Sequence, residues 1–180
     1  MTNNLLSTKI TLPCGVTLKN RLVKSAMTER ISNKRFEPTT EHEMLYKKWA
    51  DCGAGLLITG NVMIDRRALE GPRNVVVEDE RHMDLLRRWA DAGQSGGCRL
   101  WMQISHPGRQ TPTGVSQQVV APSAVPLERM GFFFSAPRQL GASEIEELIG
   151  FELPCALQGL AVNGNLRQVS FAIQGFSASL

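Results

Sequence analysis

Several things are missing from this 180-residue chain. It has four cysteines, Cys14, Cys52, Cys98 and Cys155, and no two of them are close enough to form a CxxC pair. That argues against a zinc site and against a disulfide framework, and leaves small buried hydrophobes in a reducing compartment as the reading. Charge of one sign is also scarce. The formal net charge is +3 and the basic residues are dispersed, so neither nucleic acid nor an anionic membrane surface is the expected partner. The first twelve residues lack the basic region and apolar run of a signal peptide. No window is apolar and uncharged for long enough to span a bilayer. A cytoplasmic protein is the default expectation.

Catalytic signatures are absent too. No Gly-x-Gly-x-x-Gly follows the first strand, which lowers a dinucleotide-binding Rossmann reading. There is no Gly-x-Ser-x-Gly elbow and no pair of carboxylates at the strand ends, so the parts of a hydrolase are not here. His106 has no second histidine or acid nearby with which to hold a metal, and no metal is expected.

What is present is an alternation of strands and helices. Residues 8–18, "TKITLPCGVTL", alternate in type and turn at Pro13-Cys14-Gly15, the pattern of a β-hairpin. "RLVKSAM" predicts a short strand with Leu22, Val23, Ala26 and Met27 as its apolar positions. Residues 40–52 predict a helix: Thr40 and Glu43 make a capping box, Met44, Leu45, Trp49 and Cys52 fall at helical spacing, and Gly53 supplies the stop. "GLLITGNV" at 55–62 is too short for a helix and predicts a strand buried on both faces. The loop after it carries Arg66, Arg67 and Gly71-Pro72, its arginines expected to be solvated. A second helix is predicted over 79–92, with Asp79 as N-cap, Met83, Leu86, Trp89 and Ala90 on one side, and Gly93 ending it. "CRLWMQIS" at 98–105 is the third buried strand.

Buried strands separated by amphipathic helices imply parallel pairing with right-handed crossovers. A (β/α)8 barrel and an open doubly wound sheet both remain possible, and a hairpin before the first strand suits a plug under a barrel. After residue 105 a long loop rich in Pro, Gly, Ser and Gln follows, with "APSAVPL" and "GFFF". Loops of that length are functional or disordered. Phe132 to Phe134 could shape a substrate mouth, but loop packing is the expectation. Ser143 and Glu146 form another capping box, at the start of a helix.

Ligands of parallel α/β folds bind at the carboxyl ends of the strands. Those ends hold Ser25-Ala26-Met27-Thr28, then Thr59-Gly60-Asn61, then Gln103, Ser105, His106 and Arg109. All three sets are expected to converge on one face. Hydroxyl, amide, backbone and guanidinium groups in apolar surroundings suit a flat, polar heterocycle.

"LKNRLVKSAMT", "GAGLLITGNVMID" and "WMQISHPGRQ" together resemble the old yellow enzyme family, the FMN-dependent NADH:flavin oxidoreductases. The resemblance spans about residues 5–149 and includes the intervening helices and the "APSAVPL" loop. It implies the N-terminal part of a (β/α)8 TIM barrel, incomplete at its C-terminus. It also implies FMN as cofactor, NAD(P)H as hydride donor, and an activated alkene as the small-molecule substrate. Ser25, Ala26 and Met27 would lie along the flavin. The Thr28 hydroxyl would bond the flavin carbonyl next to the hydride-carrying nitrogen. Asn61 falls where the family places a small Gly or Ala, and Gln103 would pair with the pyrimidine edge. His106 and Arg109 belong to the family's signature without an assigned step, and no residue is assigned a catalytic role.

Beyond residue 149 the family pattern is lost. The family expects a strand carrying a His and, three places on, a second His or an Asn, to bind the substrate carbonyl. Residues 150–180 contain no His and almost no charge, and Pro154 interrupts the expected helix. A lost reading frame near Ile149 to Phe151 is the expectation, tested by reading the DNA in all three frames. Half of an eight-stranded barrel leaves an open edge and an uncovered core. The alternative function is therefore a catalytically inactive remnant that only self-associates, as a homo-oligomer.

Overall fold

The computed structural model describes residues 4–116, 118–128 and 131–150. The chain opens with a hairpin in which β1 (Ile10–Thr11) pairs antiparallel with β2 (Thr17–Leu18). Gly15 closes the turn at φ +87°, a left-handed conformation that only glycine adopts without strain.

Next come β3 (Val23–Lys24), α1 (Thr40–Asp51), β4 (Leu56–Met63), β5 (Val75–Val76), α2 (Met83–Gln94) and β6 (Arg99–Ser105). β4 lies at the centre of a parallel sheet. β3 pairs with its first two residues and β5 with its last two, while β6 runs along the other side. The first strand is much shorter than "RLVKSAM" suggests: the ladder stops at Lys24. Leu22, Val23 and Met27 are exposed rather than apolar core.

α1 and α2 cover one face of the sheet. Their core contains Tyr46, Ala50, Leu86, Trp89 and Ala90 against Leu57, Val62, Ile64, Leu100 and Ile104. Trp89 is 2% exposed, with its ring against Tyr46 (centroids 5.2 Å apart) and His42 (4.8 Å). The buried face of α1 is therefore His42, Tyr46 and Ala50. The expected stripe is displaced: Met44 is 60% exposed and Cys52 is at the surface, with Leu45 and Trp49 only partly buried. Trp49 is instead covered by Lys24, whose ammonium lies 4.1 Å from the ring centroid. Sequence hydrophobicity misplaced the stripe because a buried histidine and tyrosine do the packing.

Caps shift by a residue or two as well. α1 is capped by Thr39, whose N–H donates to His42 Nδ1 at 3.1 Å, rather than by Thr40 with Glu43. Asp79 does cap, but a 3-10 turn over Glu80–His82, and α2 starts only at Met83. Gly93 does not end α2; it is buried in the last turn, where a Cβ would meet Leu100 Cδ2 at 2.9 Å. Gly53 does follow α1 in the left-handed region, at φ +89°.

The long loop after β6 is stitched down. Thr113 N–H donates to the Phe133 carbonyl at 2.9 Å, and β7 (Val120–Ala121) pairs in parallel with β8 (Arg138–Gln139). Phe132 and Phe133 do not pack into the core; they are 89% and 61% exposed and meet each other edge to face. Residues 142–150 form α3, the last helix among the described residues. Its first turn is closed by Gly141 N–H donating to Glu144 at 2.8 Å, two positions before the expected Ser143–Glu146 box. The arginines of the loop after β4 are exposed to solvent as expected, and they are also paired. Arg66 pairs with Glu78 at 2.7 Å, and Arg67 joins buried Asp65 to Glu147 on α3. Of the described cysteines only Cys98 is a buried hydrophobe; Cys14 and Cys52 are exposed. Cys155, Pro154 and the expected departure from family pattern lie outside the described residues. No helix among the described residues is long and apolar enough to cross a membrane.

Candidate functional site

A bulge in β4 builds the site. Between Ile58 and Asn61 the chain advances three residues while β6 advances two, from Trp101 to Gln103. Bulges of this kind re-aim side chains beside functional sites. Thr59 fills the irregularity: its buried hydroxyl accepts from Gln103 N–H at 2.9 Å and donates to the Gly60 carbonyl at 2.8 Å. Downstream, Asn61 and Gln103 stand side by side, and Gln103 Nε2 donates to Asn61 Oδ1.

Gly60 sits where the first strand's continuation crosses β4. A Cβ there would collide with the Met27 carbonyl and lie 2.7 Å from Thr28 Cα. The Gly60 N–H donates to Glu29 at 3.2 Å, and Glu29 also accepts from the Tyr46 hydroxyl. Burial, the Glu29 charge and its hydrogen bond push the Tyr46 phenol far above its ordinary range, so it stays protonated. Glu29 and Tyr46 thereby lock residues 27–29 onto the sheet.

Thr28 and Asn61 converge on a residue that sequence reading did not single out. Glu70 Oε2 accepts from the Thr28 hydroxyl at 3.0 Å and from Asn61 Nδ2 at 2.7 Å. Arg30 approaches the other carboxylate oxygen at 3.9 Å. The resulting cluster is Thr28–Glu70–Asn61–Gln103. It borders a cavity of about 340 Å³ lined by Arg30, Asn61, Glu70, Ser105, Pro107 and Phe134, among others.

The other expected residues are placed differently. Ser25 and Met27 are exposed and Ala26 is half-buried along the segment leading to Thr28. His106 is 3% exposed and accepts from Gly108 N–H at Nδ1, so its proton is on Nε2. Burial lowers its pKa, which keeps the ring neutral. It does not join the cluster, and Arg109 is exposed. Glu70 had no sequence signal: it belongs to no periodic element, and only the folded loop brings it to Thr28, 42 residues away in the chain.

Residues 9–156 match the NADH:flavin oxidoreductase / NADH oxidase family. The chain belongs to that family. It is 35% identical over 159 residues to an NADH-dependent flavin oxidoreductase of Neonectria sp., covering 78% of this chain and 21% of that protein. It is 35% identical over 161 residues to an NADH-dependent flavin oxidoreductase of Hypocrea jecorina, covering 79% of this chain and 40% of the relative. The fold superposes on the old yellow enzyme from Trypanosoma cruzi with a TM-score of 0.77 at 19% identity, covering 96% of this chain and 51% of that one. The chain thus spans two fifths or less of these curated relatives and about half of a solved barrel. The parallel sheet with its two helices is the N-terminal part of a TIM barrel, the one of the two architectures left open by the strand–helix alternation that the family resemblance implies.

The donor set fits a flavin. A flavin's pyrimidine edge alternates carbonyl oxygens with a ring N–H, and a single primary amide can meet both kinds of group. Gln103 Nε2 faces Asn61, so Oε1 lies on the opposite side of the amide. The Thr28 hydroxyl has one proton, which Glu70 holds here; it can serve Glu70 or a ligand carbonyl, not both at once.

Proposed function

We propose that this chain supplies the flavin-facing part of an FMN-dependent NAD(P)H oxidoreductase. The reaction moves hydride from NAD(P)H through the flavin to an activated alkene, a small-molecule substrate. The observation that carries this reading is the convergence of Thr28, Asn61 and Gln103 at neighbouring strand ends, held by shared hydrogen bonds. Residues 1–149 would carry the site and 150–180 would depart from the barrel pattern. Ser25, Ala26 and Met27 would line the ring, Gln103 would hold its pyrimidine edge, and Thr28 would bond a carbonyl after release from Glu70. Asn61 would act by orienting Gln103. A bound flavin supplies the two-electron chemistry, while the protein binds, orients and tunes it. The working compartment would be the cytoplasm.

One set of observations favours a second reading, a self-associating half-barrel without turnover. Leu22, Val23 and Met27, in and beside β3, leave apolar side chains 45%, 49% and 50% exposed, which association would cover.

Titration of the chain with FMN, followed by flavin fluorescence and sedimentation, separates the two. The enzyme reading expects saturable binding, weakened about fivefold to tenfold by Thr28→Ala or Gln103→Ala, the range of one lost hydrogen bond. Oligomers that never take up FMN would establish the second reading instead.

A further inference from the structure

We propose that Glu70 is a positioning residue that fixes the direction of the hydrogen-bond chain through Asn61 to Gln103, and so decides which face of the Gln103 amide is offered to a ligand. The proposal deepens the flavin reading and rests on it for the identity of that ligand.

The argument starts from what each group can do. An ionised carboxylate only accepts hydrogen bonds, whereas a primary amide has one accepting and one donating end and can be turned over at little cost. Glu70 Oε2 lies 2.7 Å from Asn61, so Asn61 must present Nδ2 to it. Its Oδ1 then faces β6, and Gln103 must meet that oxygen with Nε2. One acceptor-only group thus sets the polarity of two amides in series, leaving Gln103 Oε1 on the side away from Asn61. An acceptor there meets a ring N–H; a reversed amide would present N–H to N–H. Without Glu70, nothing in the chain of bonds prefers one direction over the other.

The loop holds Glu70 in place for this role. Its neighbours Ala68 and Leu69 are each 5% exposed, Leu69 N–H donates to Ser116 Oγ at 3.3 Å, and Gly71 N–H donates to Asn74 Oδ1 at 2.8 Å. Gly71 lies under the Arg30 guanidinium, where a Cβ would meet Arg30 Cζ at 2.7 Å. Arg30 itself takes φ 54°, a strained value for a residue other than glycine. A carboxylate between buried neighbours, approached by a cation and bonded to two strand ends, is a fixed part of the site.

The test is the side-chain amide spectrum of the full ¹⁵N-labelled chain, with the Asn61 and Gln103 pairs assigned from Asn61→Ala and Gln103→Ala. In the wild type each residue is expected to give one exchange-protected NH2 pair. Glu70→Gln preserves size but can donate as well as accept, so the Gln103 pair should double or lose protection at least fivefold. Glu70→Ala should abolish protection of both pairs. Arg30→Ala, which leaves the Glu70–Asn61 bond in place, should change neither. Asn61 and Gln103 pairs that stay single and protected in Glu70→Gln overturn the proposal. FMN titration of the same samples keeps the flavin reading separate. Weaker FMN binding by Glu70→Gln, with the doubled pair, supports both. A doubled pair in a chain that never binds FMN supports the relay and refutes flavin as its ligand.

Discussion

Gly60 shows how much a single residue decides here. Its missing side chain lets Met27 and Thr28 lie directly on β4. We expect Gly60→Ala to push residues 27–29 outward, break the Gly60–Glu29 bond and weaken FMN binding at least as much as Thr28→Ala; parallel titrations check this. His42 offers a prediction about pH. Burial, followed by the Arg73 charge, lowers its pKa to about 4. Between pH 6.5 and 4 the unfolded chain therefore binds a proton that the folded chain does not, and stability falls with pH across that window. Above about pH 6.5 the contribution is fully present. Its loss on acidification amounts to at most about 3 kcal/mol. The urea midpoint should fall between pH 7 and 4.5 in the wild type and less steeply in His42→Gln. At this scale Gln103 was legible because it lies in a strongly patterned strand, and Thr28 because it ends the family-like run "LKNRLVKSAMT", β3 itself stopping at Lys24. Glu70 was not, since a lone acid in a loop carries no period to read.

The two helices show where pattern reading works and where it fails. α2 has its apolar residues where the spacing puts them, and Leu86, Trp89 and Ala90 are buried. α1 buries His42 and Tyr46 while Met44 is exposed, because ring packing on Trp89 outweighs side-chain hydrophobicity. Trp89 is thus the joint between both helices and the sheet. Trp89→Ala should cost about 3–5 kcal/mol of unfolding free energy, read from urea denaturation, the range for emptying a large buried aromatic site. Removing the Asp79 cap should cost only about 1 kcal/mol, since Asp79→Ala leaves one amide at the helix entrance unsatisfied. The β4 bulge was beyond the sequence's reach. A run such as "LLITGNV" fixes a strand but not the position of an extra residue in its ladder.

At the scale of the molecule, three neighbouring parallel strands and their continuations bring together Thr28 and Gln103, 75 positions apart in the chain. The helices pack one face of the sheet, while Leu22, Val23 and Met27 remain exposed. The alternation of strands and helices was readable because each crossover needs an amphipathic helix. The stitching of the long loop was not, because it depends on isolated backbone bonds such as Thr113 to Phe133. The most direct measurement of the central claim is the visible absorption spectrum of the purified, desalted 180-residue chain. The account predicts a flavin band that co-elutes with the protein, or that appears once FMN is added and excess removed. A colourless protein that retains no FMN after incubation would contradict it.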